Sequence, residues 1–243
     1  MTIGSFKWRF VNYGIFPSIK FLFEKINSKW QKVGQNESTG IDELFTSLGI
    51  DSSDFDLNFV SQELEKRFAL LKNELNTHHI KNVFDRPSFT RILILAVLIK
   101  SKKYNLLIES GTQNGISASL IKSLMISFDA PVNIVSFDVV DHPKVIESGV
   151  RYHVLSQPIR KDFKIESLKL DSSKAIFFHD SDHSKENMDF ELDWAWNVLK
   201  VPCLLSDDVE GNFAFANFCK KNKVNPYYFK LDHGPLVGLV IRK

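Results

Sequence analysis

Leu106-Leu107-Ile108-Glu109-Ser110-Gly111-Thr112-Gln113-Asn114-Gly115-Ile116-Ser117 is the stretch on which the reading of this chain turns. An apolar run closes on an acidic residue, and a loop with glycines at 111 and 115 then opens into a helical pattern from Ala118 to Met125. That order reads as a strand, a tight turn and a helix start. Glycine lacks Cβ, so Gly111 and Gly115 let the backbone take positive φ and let a ligand approach closely. Free N–H groups at the start of the helix face whatever sits in the turn. The spacing is E-x-G-x-x-x-G. A dinucleotide fingerprint needs G-x-G-x-x-G and a phosphate loop needs G-x-x-x-x-G-K-[ST], so neither fits.

Downstream the alternation is regular. Strands are expected at 104–109, 133–138, near 152–155, and at 175–180, 203–207, 227–232 and 236–242. Helices are expected at 117–127, 184–199 and 212–221. Strands alternating with helices of this length predict an α/β fold with a mostly parallel sheet covered on both faces. His233-Gly234-Pro235 reads as a tight turn, so the sheet should end in an antiparallel hairpin. Upstream, a helix should start near Arg86-Pro87 and run to about Ser101, with Pro87 suited to a first turn. Another is expected over 58–77, where Phe59, Leu64, Phe68, Leu71 and Leu75 recur at helical spacing. Residues 35–56 read as linker plus a short helix at 41–48.

Residues 1–35 mix Phe6, Trp8, Phe10, Tyr13, Phe16, Phe21, Phe23 and Trp30 with Lys7, Arg9, Lys20, Lys25 and Lys29. Two readings stand: an interfacial segment on an anionic membrane surface, or a helical arm packed on the domain or on a second subunit. The expected division is a helical extension over 1–80, serving as lid or homodimer contact, and an α/β domain over 81–243.

Composition excludes several classes. Across 243 residues the formal net charge is only +2, which makes no case for a nucleic-acid partner. Cys203 and Cys219 form no CxxC spacing and read as reduced thiols, not a disulfide or zinc framework. No apolar run reaches the roughly 20 residues of a membrane span, and no secretory leader is recognisable. A cytoplasmic protein acting on a small molecule is the expectation.

In open α/β sheets ligands bind at the carboxyl ends of the strands, and three acidic positions fall there. Asp138 closes one strand, where a carboxylate can accept both hydroxyls of a ribose or can merely cap the next turn. Phe177-Phe178-His179-Asp180-Ser181-Asp182-His183-Ser184 ends another. Leu204-Leu205-Ser206-Asp207-Asp208 ends a third. Asp180, Asp207 and Asp208 can converge, and three gathered carboxylates repel unless protonated or bound to a cation. Their hard oxygens suit Mg²⁺ or another hard divalent cation. The alternative is that Asp182 or Ser184 caps the following helix and Asp207-Asp208 is a solvated loop.

The E-x-G-x-x-x-G turn resembles motif I of the class I methyltransferases, which bind S-adenosylmethionine on a seven-stranded Rossmann-like sheet with a terminal antiparallel hairpin. The resemblance implies cofactor contacts from Glu109, Gly111, Thr112, Gly115 and Ser117, with Asp138 on the ribose. The D-x-D-H run at 180–183, the S-x-E turn at 184–186 and the Asp-Asp pair at 207–208 are similar to the metal-dependent O-methyltransferases of natural-product sugars, the macrocin and aminocoumarin types and their cephalosporin-hydroxylase-like relatives. That likeness covers roughly 85–243. It implies Asp180, Asp207 and Asp208 as Mg²⁺ ligands and Asp182 as general base, with His183 the alternative base. It further implies methylation of a sugar- or catechol-like diol. The chain departs from the pattern at Ser181 (usually Gly), at Leu199-Lys200-Val201-Pro202 (usually containing Gly-Gly) and at His179 (usually aliphatic). Residues contacting adenine, expected near 156–163, have no clear counterpart. The competing readings are a non-catalytic Rossmann-like ligand-binding module and a metal-dependent hydroxylase-like relative.

Overall fold

The structure, a computed structural model, describes residues 41–51, 53, 55–77, 88–142, 145, 149–155, 171–230 and 235–242. The aromatic arm, Arg86-Pro87, the 156–163 segment and His233-Gly234 lie outside the described residues. Along the chain run helices α1 (Ile41–Ser47), α2 (Leu57–Thr77) and α3 (Phe89–Lys102), strand β1 (Leu106–Ser110), α4 (Ile116–Ser127), β2 (Asn133–Asp138), β3 (Val150–Val154), β4 (Ala175–His179), α5 (Lys185–Asp193), β5 (Cys203–Ser206), α6 (Ala214–Asn222), β6 (Tyr227–Lys230) and β7 (Leu236–Ile241).

The seven strands lie in the order β3-β2-β1-β4-β5-β7-β6. β1 to β5 are parallel, with Leu107 opposite Ile134 and Ile176 in the two ladders of β1. β7 is antiparallel to both neighbours and sits between β5 and β6. The expected mixed sheet with a terminal antiparallel hairpin is therefore present. Chain order departs from β1 in opposite directions, to β2 on one side and β4 on the other, so the switch point lies between β1 and β4. In such sheets ligands bind beyond the carboxyl ends of the strands at the switch point.

Period-2 alternation divides the strand residues between two cores. On one face Leu107, Ile134, Ile176, Phe178, Cys203 and Leu205 pack against Ile94, Leu95 and Leu98 of α3 and Leu120 and Leu124 of α4. The same core takes Leu44 and Phe45 of α1 and Leu64, Leu71 and Leu75 of α2. On the other face Leu106, Ile108, Val135, Phe177 and Leu204 meet Met188 and Leu192 of α5 and Phe215 and Phe218 of α6. Each such side chain buried contributes about 1.5–3 kcal/mol, so both layers are held on the sheet by the same force. Among the described residues no helix is long and apolar enough to cross a membrane.

Two details differ from the sequence expectation. The helix predicted over 184–199 is α-helical only to Asp193, and Trp194–Val198 continues as a π-turn whose Leu199 N donates to Trp194 O at 2.9 Å. Arg242, 3.9 Å from the Trp196 ring, donates to the Trp196 carbonyl within that turn and to the Val201 carbonyl beyond it. In the 199–202 segment, Lys200 takes a left-handed conformation with φ 58°, which strains a residue with a Cβ.

Candidate active site

At the tip of β1 the turn is built by positive-φ residues Gly111 (97°), Gln113 (47°) and Gly115 (76°). It is tied to β2 by a set of short hydrogen bonds. Gly111 N and Thr112 N donate to Phe137 O at 2.8 and 3.2 Å, and Thr112 Oγ1 donates to the same carbonyl at 3.1 Å. Asp138 accepts from Gln113 N at 2.8 Å and from Val140 N at 3.0 Å. A carboxylate has about four lone-pair sites, so both oxygens keep capacity for ribose hydroxyls while stapling the loop. Ser117 is half-buried in the first turn of α4. Glu109 is buried, and its Oε2 accepts from Ser136 Oγ at 2.5 Å. Burial pushes its carboxyl up to about 7, against the Ser136 hydrogen bond and Arg91.

Gly111 serves packing as well as turning. A Cβ there would meet Asp180 O at 2.1 Å and Ser181 Cα at 2.7 Å. The face the sequence reading leaves open to a ligand is occupied by the backbone leaving β4.

That backbone carries the second half of the site. Asp182 Oδ1 accepts from Ser184 N and Oδ2 from Ser184 Oγ, both at 3.0 Å, while Ser184 caps α5 by accepting from Asn187 N at 3.4 Å. His183 is half-buried; its ring stands 5.3 Å from that of His179, and its Nδ1 lies 3.9 Å from Asp208 Oδ2. Behind them Glu191 of α5 is buried, accepting from Ser181 Oγ at 2.9 Å and facing His179 Nε2 at 3.5 Å. Burial pushes its carboxyl up to about 7. Burial, and then His183, depress His179 to about 3, so it is a neutral imidazole. Ser181 thus hydrogen-bonds the buried Glu191 carboxylate, and His179 packs beside it.

Strand parity decides where the acids point. Asp180 and Asp207 continue the alternation of Phe178 and Leu205, toward α3; Asp207 N extends the ladder by donating to His179 O at 3.0 Å. Asp208 is one residue further, at φ 54°, and pairs with His183 instead. Asp180, His183 and Asp207 offer ligand atoms within 4.8 Å of one another, and Asp208 falls outside that group.

A residue not anticipated from sequence sits on the acid pair. Arg91, in the first turn of α3, bonds Asp207 Oδ2 through Nη1 and Asp180 Oδ2 through Nη2, the latter at 3.1 Å. It is 7% exposed, and its guanidinium lies 5.0 Å from the Phe178 ring centroid. Burial works against its charge, but Asp180, Asp207 and Glu109 outweigh burial and raise its pKa. Asp180 is pushed well above the usual carboxylate range by burial, against Arg91 and reinforced by Asp207 and Glu109. The signal in the sequence is a lone charge in Phe89-Thr90-Arg91-Ile92-Leu93-Ile94-Leu95, three and four residues before the buried Ile94 and Leu95.

The oxygen donor set suits Mg²⁺ in kind, but the oxygens are engaged by a guanidinium. Arg91 already takes Asp180 Oδ2 and Asp207 Oδ2, two oxygens such an ion would need. In this arrangement the residues do not fit a divalent ion.

No family profile and no curated protein matches the sequence. Solved structures do. An O-methyltransferase from Bacillus cereus in complex with SAH overlaps with a TM-score of 0.52 at 13% identity, over 73% of this chain and 91% of its own. A Staphylococcus aureus chain assigned as a caffeoyl-CoA O-methyltransferase overlaps with a TM-score of 0.53 at 13% identity, over 79% and 100%. The chain has the α/β fold of these O-methyltransferases.

Proposed function

We propose that the chain transfers a methyl group from S-adenosylmethionine to an oxygen of a small hydroxylated acceptor. The observation that carries this reading is the set of residues gathered at the switch point between β1 and β4. A glycine turn stapled to Asp138 lies on one side of it and the Asp180–His183 turn on the other. The shared fold supports it.

The cofactor, when bound, supplies an electrophilic methyl on a sulfonium. Asp138 would hold the ribose hydroxyls, and the first N–H groups of α4, that of Ser117 among them, would face its polar end. Glu109 and Gly111 set the shape of that turn from below. Of the two candidate bases, Asp182 is tied at both oxygens to Ser184, the cap of α5. We therefore assign proton removal to His183, with Asp208 beside it and Asp182 holding the turn. On transfer the acceptor's O–H proton would pass to His183, and the cofactor would exchange its S–CH₃ bond for the acceptor's new O–CH₃ bond and leave as a neutral thioether. Most of the rate gain comes from alignment of two bound reactants. The proposal draws no step through Mg²⁺, and the acceptor is therefore not restricted to chelating diols.

The test is calorimetric titration with S-adenosylhomocysteine. Micromolar binding is expected, weakened about 10–100-fold in Asp138→Ala by loss of a charged hydrogen-bonding partner. Absence of binding overturns the proposal. Binding without methyl transfer to any of a panel of sugars, catechols and simple alcohols would leave a cofactor-binding module.

A further inference from the structure

The acid pair at the tips of β4 and β5 has a counter-ion supplied by the chain itself, and its geometry is specific. Arg91 is fixed at its backbone by the Ser88 cap, which accepts from Arg91 N at 3.4 Å. Its guanidinium packs on Phe178 and reaches one oxygen of each acid, Asp180 Oδ2 and Asp207 Oδ2. A planar fork with several donors spans two carboxylates in this way, whereas an ammonium acts as a single point charge. The remaining oxygen of Asp207, Oδ1, is buried without a hydrogen-bond partner. Both acids point to α3 by strand parity, so helix and sheet meet here at a charged contact beside an apolar core. Removing the cation would leave two carboxylates, with Glu109 nearby, in a position where charge must be compensated.

We propose that Arg91 is the resident cation of this site: its side chain stands where a divalent ion would otherwise bind Asp180 and Asp207, and it makes the site metal-independent. Arg91 is a positioning residue, since it acts through Asp180 on the turn that carries Asp182 and His183. The inference concerns the acid pair alone and stands whether or not the methyl-transfer reading holds.

The full chain is titrated with Mn²⁺, following the loss of the free-ion electron paramagnetic resonance signal without cofactor or acceptor. Wild type should leave the signal unchanged up to about 1 mM, the weak end of biological divalent sites. Arg91→Met should take up Mn²⁺ with a melting temperature that rises on metal addition, and Arg91→Met with Asp207→Asn should lose the uptake again. Arg91→Lys keeps a cation and should bind none. Uptake by wild type that disappears in Asp207→Asn overturns the proposal, as does an Arg91→Met protein that folds yet binds no Mn²⁺. If Arg91→Met fails to fold, wild type and Arg91→Lys decide alone: uptake by either at this pair refutes it, and its absence in both supports it.

Discussion

Replacing Gly111 by alanine separates two uses of a glycine that sequence alone merges. The new Cβ would lie 2.1 Å from Asp180 O, 2.5 Å from Asp180 C and 2.7 Å from Ser181 Cα. These are backbone atoms of the neighbouring strand end, so no side chain can rotate away. β1 and β4 are locked in register through Ser110 opposite His179, and Asp180 N donates to Ser110 O at 2.8 Å. Relief would therefore require breaking that ladder. Overpacking of this kind costs about 1–3 kcal/mol. Forcing a non-glycine residue to hold φ 97° adds about 1–3 kcal/mol. The reduced freedom of the unfolded chain returns about 0.4–1 kcal/mol. A net loss of about 2–5 kcal/mol is a large part of the 5–15 kcal/mol that typical domains possess. Urea denaturation at constant m value measures it, with S-adenosylhomocysteine titration alongside. A variant within about 0.5 kcal/mol of wild type, the range of ordinary surface changes, refutes the packing argument. If that stable variant also lost cofactor affinity, Gly111 would be serving ligand approach instead.

Two further outcomes follow from buried groups. Glu191 has a folded pKa near 7, above its ordinary 4.5, so between those values the folded chain holds a proton that the unfolded chain has released. Its contribution to stability is thus largest below pH 4.5 and is lost as pH rises through 7. Glu191→Gln should gain on wild type across that window, approaching about 3 kcal/mol at pH 8 from a shift of this size, and denaturation curves that give the same stability difference between variant and wild type at pH 5 and pH 8 would count against it. Gly238→Ala should destabilise by about 1–3 kcal/mol through overpacking, because its Cβ would meet Phe215 Cε1 at 2.3 Å on a face where Phe215 is fully buried; a melting temperature equal to wild type would show that the ring moves freely.

What was legible in the sequence follows the range of the interactions involved. The β1 turn and the alternation of strands and helices are local periodicities, and they lie close to where the sequence places them. The insertion of β7 between β5 and β6 is a choice among pairings that no local pattern encodes. The acids are instructive because they lie between these cases. Their location at strand ends is readable from the apolar runs before them. Asp207 and Asp208, however, are neighbours in sequence with different partners in space, because Asp207 still extends the β5 ladder while Asp208 already turns at φ 54°. Charge compensation is less local still: the partner of Asp207 is Arg91, 116 residues earlier. What a single sequence does offer is the oddity of one arginine inside an apolar helix, at i−3 and i−4 from core residues. A charge on a buried helical face requires an opposite charge within reach. The acids at the strand tips and the arginine under the sheet each lack a local partner, and each supplies what the other needs. Joined by that requirement, they point to an ion pair within the chain, whereas the acids taken alone point to a metal.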